Sequence, residues 1–68
     1  MLDGSRESER IETIDEMLDL FVVIQEMGRR LADESHGDDY AKVRELNELL
    51  HRARTKLNLI KDEAGKLS

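Results

Sequence analysis

Apolar residues in the second half of the chain fall at Val43, Leu46, Leu50, Ala53, Leu57, Ile60, Ala64 and Leu67. The steps alternate between three and four, the spacing that lines up one stripe along an α-helix packed on another helix. The first half repeats the alternation at Ile14, Met17, Phe21, Ile24, Gly28 and Leu31. Between them lies Ser35-His36-Gly37-Asp38-Asp39, in which Gly37 can take the left-handed conformation that ends a helix. Asp38 or Asp39 can cap the helix that follows, and Ser5 or Ser8 the helix that precedes. The pattern predicts an all-α, antiparallel two-helix coiled-coil hairpin forming a single domain over 1–68. Helix 1 is expected at about 8–35, the turn at about 36–38 and helix 2 at about 39–66.

Folding about Gly37 sets the two stripes opposite each other in the layers Ile14/Ile60, Met17/Leu57, Phe21/Ala53, Ile24/Leu50, Gly28/Leu46 and Leu31/Val43. These twelve residues are the expected core of the hairpin. Large then meets small, Phe21 against Ala53 and Leu46 against Gly28, which is how facing layers fill space. Glu12, Asp15, Glu16 and Asp19 fall level with Arg54, Lys56 and Lys61. Exposed pairs of this kind contribute well under about 1 kcal/mol each, so they choose the orientation more than they stabilise it.

Helix 1 carries more apolar surface than one seam can cover. Its consistently charged row is Glu12, Asp19, Glu26 and Asp33; Leu20, Val23 and Met27 form a second stripe on one flank, and Ile11, Leu18 and Val22 extend the other. Helix 2 adds only Leu49 and Leu59 outside its stripe. A helix apolar on several sides is buried on several sides. Leu18, Leu20, Val22, Val23, Met27, Leu49 and Leu59 are therefore the expected interface with another chain. The simplest closed arrangement is a homodimer forming a four-helix bundle; a heterologous protein helix is the alternative occupant.

Composition sharpens this. At 68 residues the chain buries only about 60% of the surface of its unfolded form, so small domains lean on disulfides, metal or association. No Cys is present, which removes disulfides and thiolate metal sites and fits a reducing cytoplasm, the expected location. The longest apolar run, Leu20 to Ile24, is far short of a membrane span, and residues 1–10 lack the apolar core of a signal peptide. Net charge is −5, split as −6 over residues 1–34 and +1 over residues 35–68, so the halves complement each other.

Candidate chemistry is sparse. Glu48 and His51 have the Glu-x-x-His spacing of di-iron bundles, but the stripe sets both on the outer side of helix 2, and metal ligands in a bundle project inward. The acidic segment 33–39 lacks the ligand alternation of an EF-hand and its twelfth-position Glu. Paired carboxylates need a pocket that drives their pKa values apart, which a two-helix hairpin lacks. Neither an enzyme nor a metal or cofactor site is expected. Arg52, Arg54, Lys56 and Lys61 could present a basic patch to RNA in a four-helix dimer, against the net acidity and without a stacking aromatic nearby.

Arg10 to Leu18 resembles the opening helix of helical chorismate mutases, although the long third helix and the basic substrate ligands of that fold have no counterpart here. The Ser-x-x-Leu-Asp signature of the two-helix aspartyl-phosphatases of sporulation is absent from helix 2. Type III secretion co-chaperones share the size and hairpin plan without a residue motif to carry across. The sequence thus points to a noncatalytic interaction protein: a regulator, adaptor or scaffold first, an RNA-binding bundle or a co-chaperone second.

Overall fold

In the computed structural model the chain is two long helices packed against each other, α1 (Leu2–Asp33) and α2 (Asp38–Leu67). The structure describes the backbone of residues 2–67 and the side chains of Arg6 and residues 8–64. The hairpin measures 55 × 16 × 12 Å. With no Pro among its first ten residues, α1 runs through Ser8 and begins at Leu2 instead. Ser8 therefore lies inside α1 rather than capping it; the side chains of Ser5 and Leu67 lie outside those described.

The reversal is built almost wholly from backbone. The Glu34 amide donates to the carbonyls of both Arg30 and Leu31 at 3.1 Å, and the Ser35 amide donates to the Ala32 carbonyl at 3.2 Å, tightening the last turn of α1. The Ser35 hydroxyl donates to the Leu31 carbonyl at 2.6 Å, serving another acceptor of that turn. Gly37 has φ 60° and its carbonyl accepts from the Ala41 amide, so α2 starts on it. Asp38 and Asp39 accordingly sit within the first turn of α2, where negative charge meets the positive end of the helix dipole, instead of preceding it as caps.

The helices meet along a stripe that differs from the expected one. Both contain Ile14, Phe21 and Gly28 in α1 and Val43, Leu50, Leu57 and Ala64 in α2, all buried or half-buried. The positions between them are rotated by one residue. Ile11, Leu18, Gln25 and Ala32 of α1 and Asn47, Arg54 and Lys61 of α2 are the half-buried partners. Met17, Ile24, Leu31, Leu46, Ala53 and Ile60, expected in the seam, are exposed on one face of the hairpin. The register moves with the rotation, because Gly28 packs against Asn47 rather than Leu46.

The physical reason is that the rotated side carries paired polar groups and small residues that let the backbones approach. Arg54 Nη1 donates to Gln25 Oε1 at 2.7 Å, Asn47 Nδ2 donates to the Gly28 carbonyl at 3.1 Å, and Lys61 pairs with Asp15. The expected acid–base complementarity between helices survives as that last pair, while Arg54 takes a neutral partner.

No atom lies within 4 Å of where a Cβ would sit on Gly37, so a substitution there meets only backbone strain. Gly37→Ala is expected to lower stability by about 1 kcal/mol and Gly37→Asn by less, since Asn tolerates positive φ. Urea unfolding at fixed protein concentration measures both; equal loss for the two would contradict a cost set by φ.

Candidate interaction surface

The exposed stripe and the surplus residues of α1 merge into one surface. Met17, Leu20, Phe21, Val23, Ile24 and Met27 line an apolar hollow along α1. It continues over the groove between the helices, where Ile24, Gly28 and Leu31 of α1 face Leu46 and Leu50 of α2. Toward the chain ends the groove runs between Met17 and Phe21 on one side and Ala53, Leu57 and Ile60 on the other. Leu20 is 67% exposed and Met27 57%, unusual for large apolar side chains lying next to one another. Leu49, one turn from Leu46 and Ala53, widens the face on α2.

Of the residues expected at an interface, Leu20, Val23, Met27 and Leu49 belong to this face or its edge. Leu18 is drawn between the helices, half-buried. Val22 and Leu59 are exposed elsewhere on the surface. Sequence reasoning omitted Met17, Ile24, Leu31, Leu46, Ala53 and Ile60 from the face because their periodicity had already been spent on the seam.

The surface area agrees. The hairpin exposes 5809 Å², about a third more than the roughly 4,400 Å² expected of a compact monomer of its mass. The excess exceeds the roughly 800 Å² that each partner contributes to a standard stable interface.

Beneath this face sits one close contact. The Asn47 carboxamide occupies the space where Gly28 has no side chain, its nitrogen bonded to the Gly28 carbonyl. Its Oδ1 is buried without a hydrogen-bond partner. The opposite assignment of the amide would set two oxygens against each other, so the unpaired oxygen is the cost of this packing, about 1–3 kcal/mol.

The other candidates do not converge. Of the four cations proposed to meet RNA, Arg54 is bonded to Gln25, Lys61 is paired with Asp15, and Arg52 and Lys56 border the apolar groove beside Ala53 and Leu57. Glu48 and His51 are exposed, bordering a shallow hollow with Arg44, Asn47 and Arg52. Among the described residues no three His, Cys, Asp or Glu side chains are grouped to hold a metal ion, and no helix is long and apolar enough to cross a membrane. The chain matches no protein-family model, no curated protein and no solved structure.

On helix propensity alone Gly28→Ala would gain about 1 kcal/mol. A Cβ there overlaps Asn47 Oδ1, and turning the amide away breaks its bond to the Gly28 carbonyl. Gly28→Ala is therefore expected to destabilise by about 1–2 kcal/mol, and Asn47→Ala in the same chain to recover most of the loss. A double-mutant cycle by chemical denaturation reads the coupling; purely additive effects would refute the contact.

Proposed function

We propose that this chain is a noncatalytic protein–protein interaction module, a small regulator, adaptor or scaffold, that works by having its apolar face covered by another helical surface. One observation carries the proposal. The hairpin closes on a stripe that includes Asn47, Arg54 and Lys61, and leaves Met17, Ile24, Leu31, Leu46 and Ile60 of the expected apolar stripe in solvent. A monomer selected to be stable alone would bury Met17, Ile24, Leu31, Leu46 and Ile60 and leave Asn47, Arg54 and Lys61 outside, because apolar burial contributes about 25 cal/mol per Å² and ion pairs little. The inverted choice fits a hairpin that is one half of a helical bundle. A second two-helix surface laid on the face completes a four-helix bundle whose centre is the stripe expected from the sequence.

Leu20→Glu combined with Met27→Glu tests the proposal. Each change places a charge where about 1.5–3 kcal/mol of apolar burial is expected, so dissociation constants should rise at least about a hundredfold. Helical circular dichroism should persist, and Glu48→Ala should leave association intact. Sedimentation velocity supplies the readout, and association undiminished in the double variant would sink the proposal.

A further inference from the structure

Resting on the reading that the apolar face is an interface, we infer that its occupant is a second copy of this chain, with α1 laid antiparallel on the partner's α1 about a two-fold axis at the level of Val23. The outer edge of α1 beside the face carries Glu16, Val23 and Arg30 at successive heptad positions, all exposed. That row reads acid, apolar, base and is its own complement when reversed about its centre. Glu16 then stands beside the partner's Arg30, twice per dimer, and Val23 stands beside the partner's Val23. A parallel pairing would instead set Glu16 against the partner's Glu16 and Arg30 against the partner's Arg30.

The same axis orders the residues within the face. It sets Leu20 between the heights of the partner's Ile24 and Met27, and Met17 between those of the partner's Met27 and Leu31, so apolar side chains interdigitate along the contact. Laying α1 on the partner's α2 fits less well. The α2 side of the groove is bordered by Arg52 and Lys56, whereas the hollow on α1 is lined by apolar side chains alone. Pressing Leu20 and Val23 onto those cations would desolvate two charges. With α1 on α1, both cations stay at the rim, and the contact closes on itself as an isologous two-fold interface.

The absence of Cys makes single-cysteine variants direct reporters. Val23→Cys is expected to give a covalent dimer on mild oxidation or with a short bis-maleimide. A mixture of Glu16→Cys and Arg30→Cys chains should cross-link to each other in preference to themselves, because two Glu16 positions lie about 21 Å apart along the antiparallel pair. Glu16→Arg should weaken the dimer by about fivefold at low ionic strength, and Glu16→Arg/Arg30→Glu should restore it. Self-coupling of Glu16→Cys would overturn the orientation in favour of a parallel pair. Failure of Val23→Cys to couple, with Leu20→Glu/Met27→Glu still dissociating the protein, would overturn the choice of α1 as the covering helix. A particle of single-chain mass at millimolar concentration would overturn self-association altogether and leave the face to a different protein.

Discussion

Asn47 seats its carboxamide in the space that Gly28 leaves empty, and the geometry of the hairpin follows from that contact. A side chain at that point of α1 would collide with the Asn47 amide, and the Asn47 Nδ2 donates to the Gly28 carbonyl. Fixing these two residues opposite each other rotates both helices by one position. The rotation takes Leu18, Gln25, Arg54 and Lys61 into the contact and turns Met17, Ile24, Leu46 and Ile60 out of it. A buried amide that costs stability while choosing a single register is a known device of helical assemblies, and the unpaired Oδ1 is its cost here.

The two helices, the reversal at Gly37 and the surplus of apolar surface on α1 were legible in the sequence, because each rests on a local signal: a three–four period, a residue able to take positive φ, a count of apolar positions around one helix. What was not legible is which neighbour covers which stripe. A heptad stripe states that something buries it. It does not distinguish the helix joined by a short turn from one supplied by another chain. Ile14, Phe21, Leu50 and Leu57 belong to both arrangements, and the choice between Met17 and Leu18, or between Leu46 and Asn47, depends on tertiary pairing. A signal was present in Gly28 near the level of Asn47, and in Gln25 within reach of the long Arg54 side chain about a turn further on, small or polar residues on facing helices. It carries less weight than the apolar stripe only while the hairpin is assumed to stand alone.

Setting directional polar contacts beside the apolar ones inside the hairpin, and leaving a broad apolar face outside, divides two tasks between two kinds of interaction. Hydrogen bonds are directional and fail when misaligned by one residue, so Gln25–Arg54 and Gly28–Asn47 select register within the chain. Apolar burial is non-directional and scales with area, so in the proposed association the broad face of Met17, Leu20, Ile24 and Met27 supplies affinity. In the proposed dimer the charge row Glu16, Val23, Arg30 restores direction to an interface whose apolar layers alone would tolerate either orientation.

This division ties folding to association. In the hairpin alone, Ile14, Leu57 and Ala64 are the buried apolar side chains among the described residues. Three such side chains, none as large as an aromatic, fall well below what offsets the ordering of two helices of 32 and 30 residues. Most of the apolar free energy available to the chain is realised only when the face is covered. On the proposed association, stability belongs to the assembly, and the fraction of folded chain depends on the concentration of whatever completes the bundle. In the proposed dimer a second copy is both the binding partner and the other half of the core.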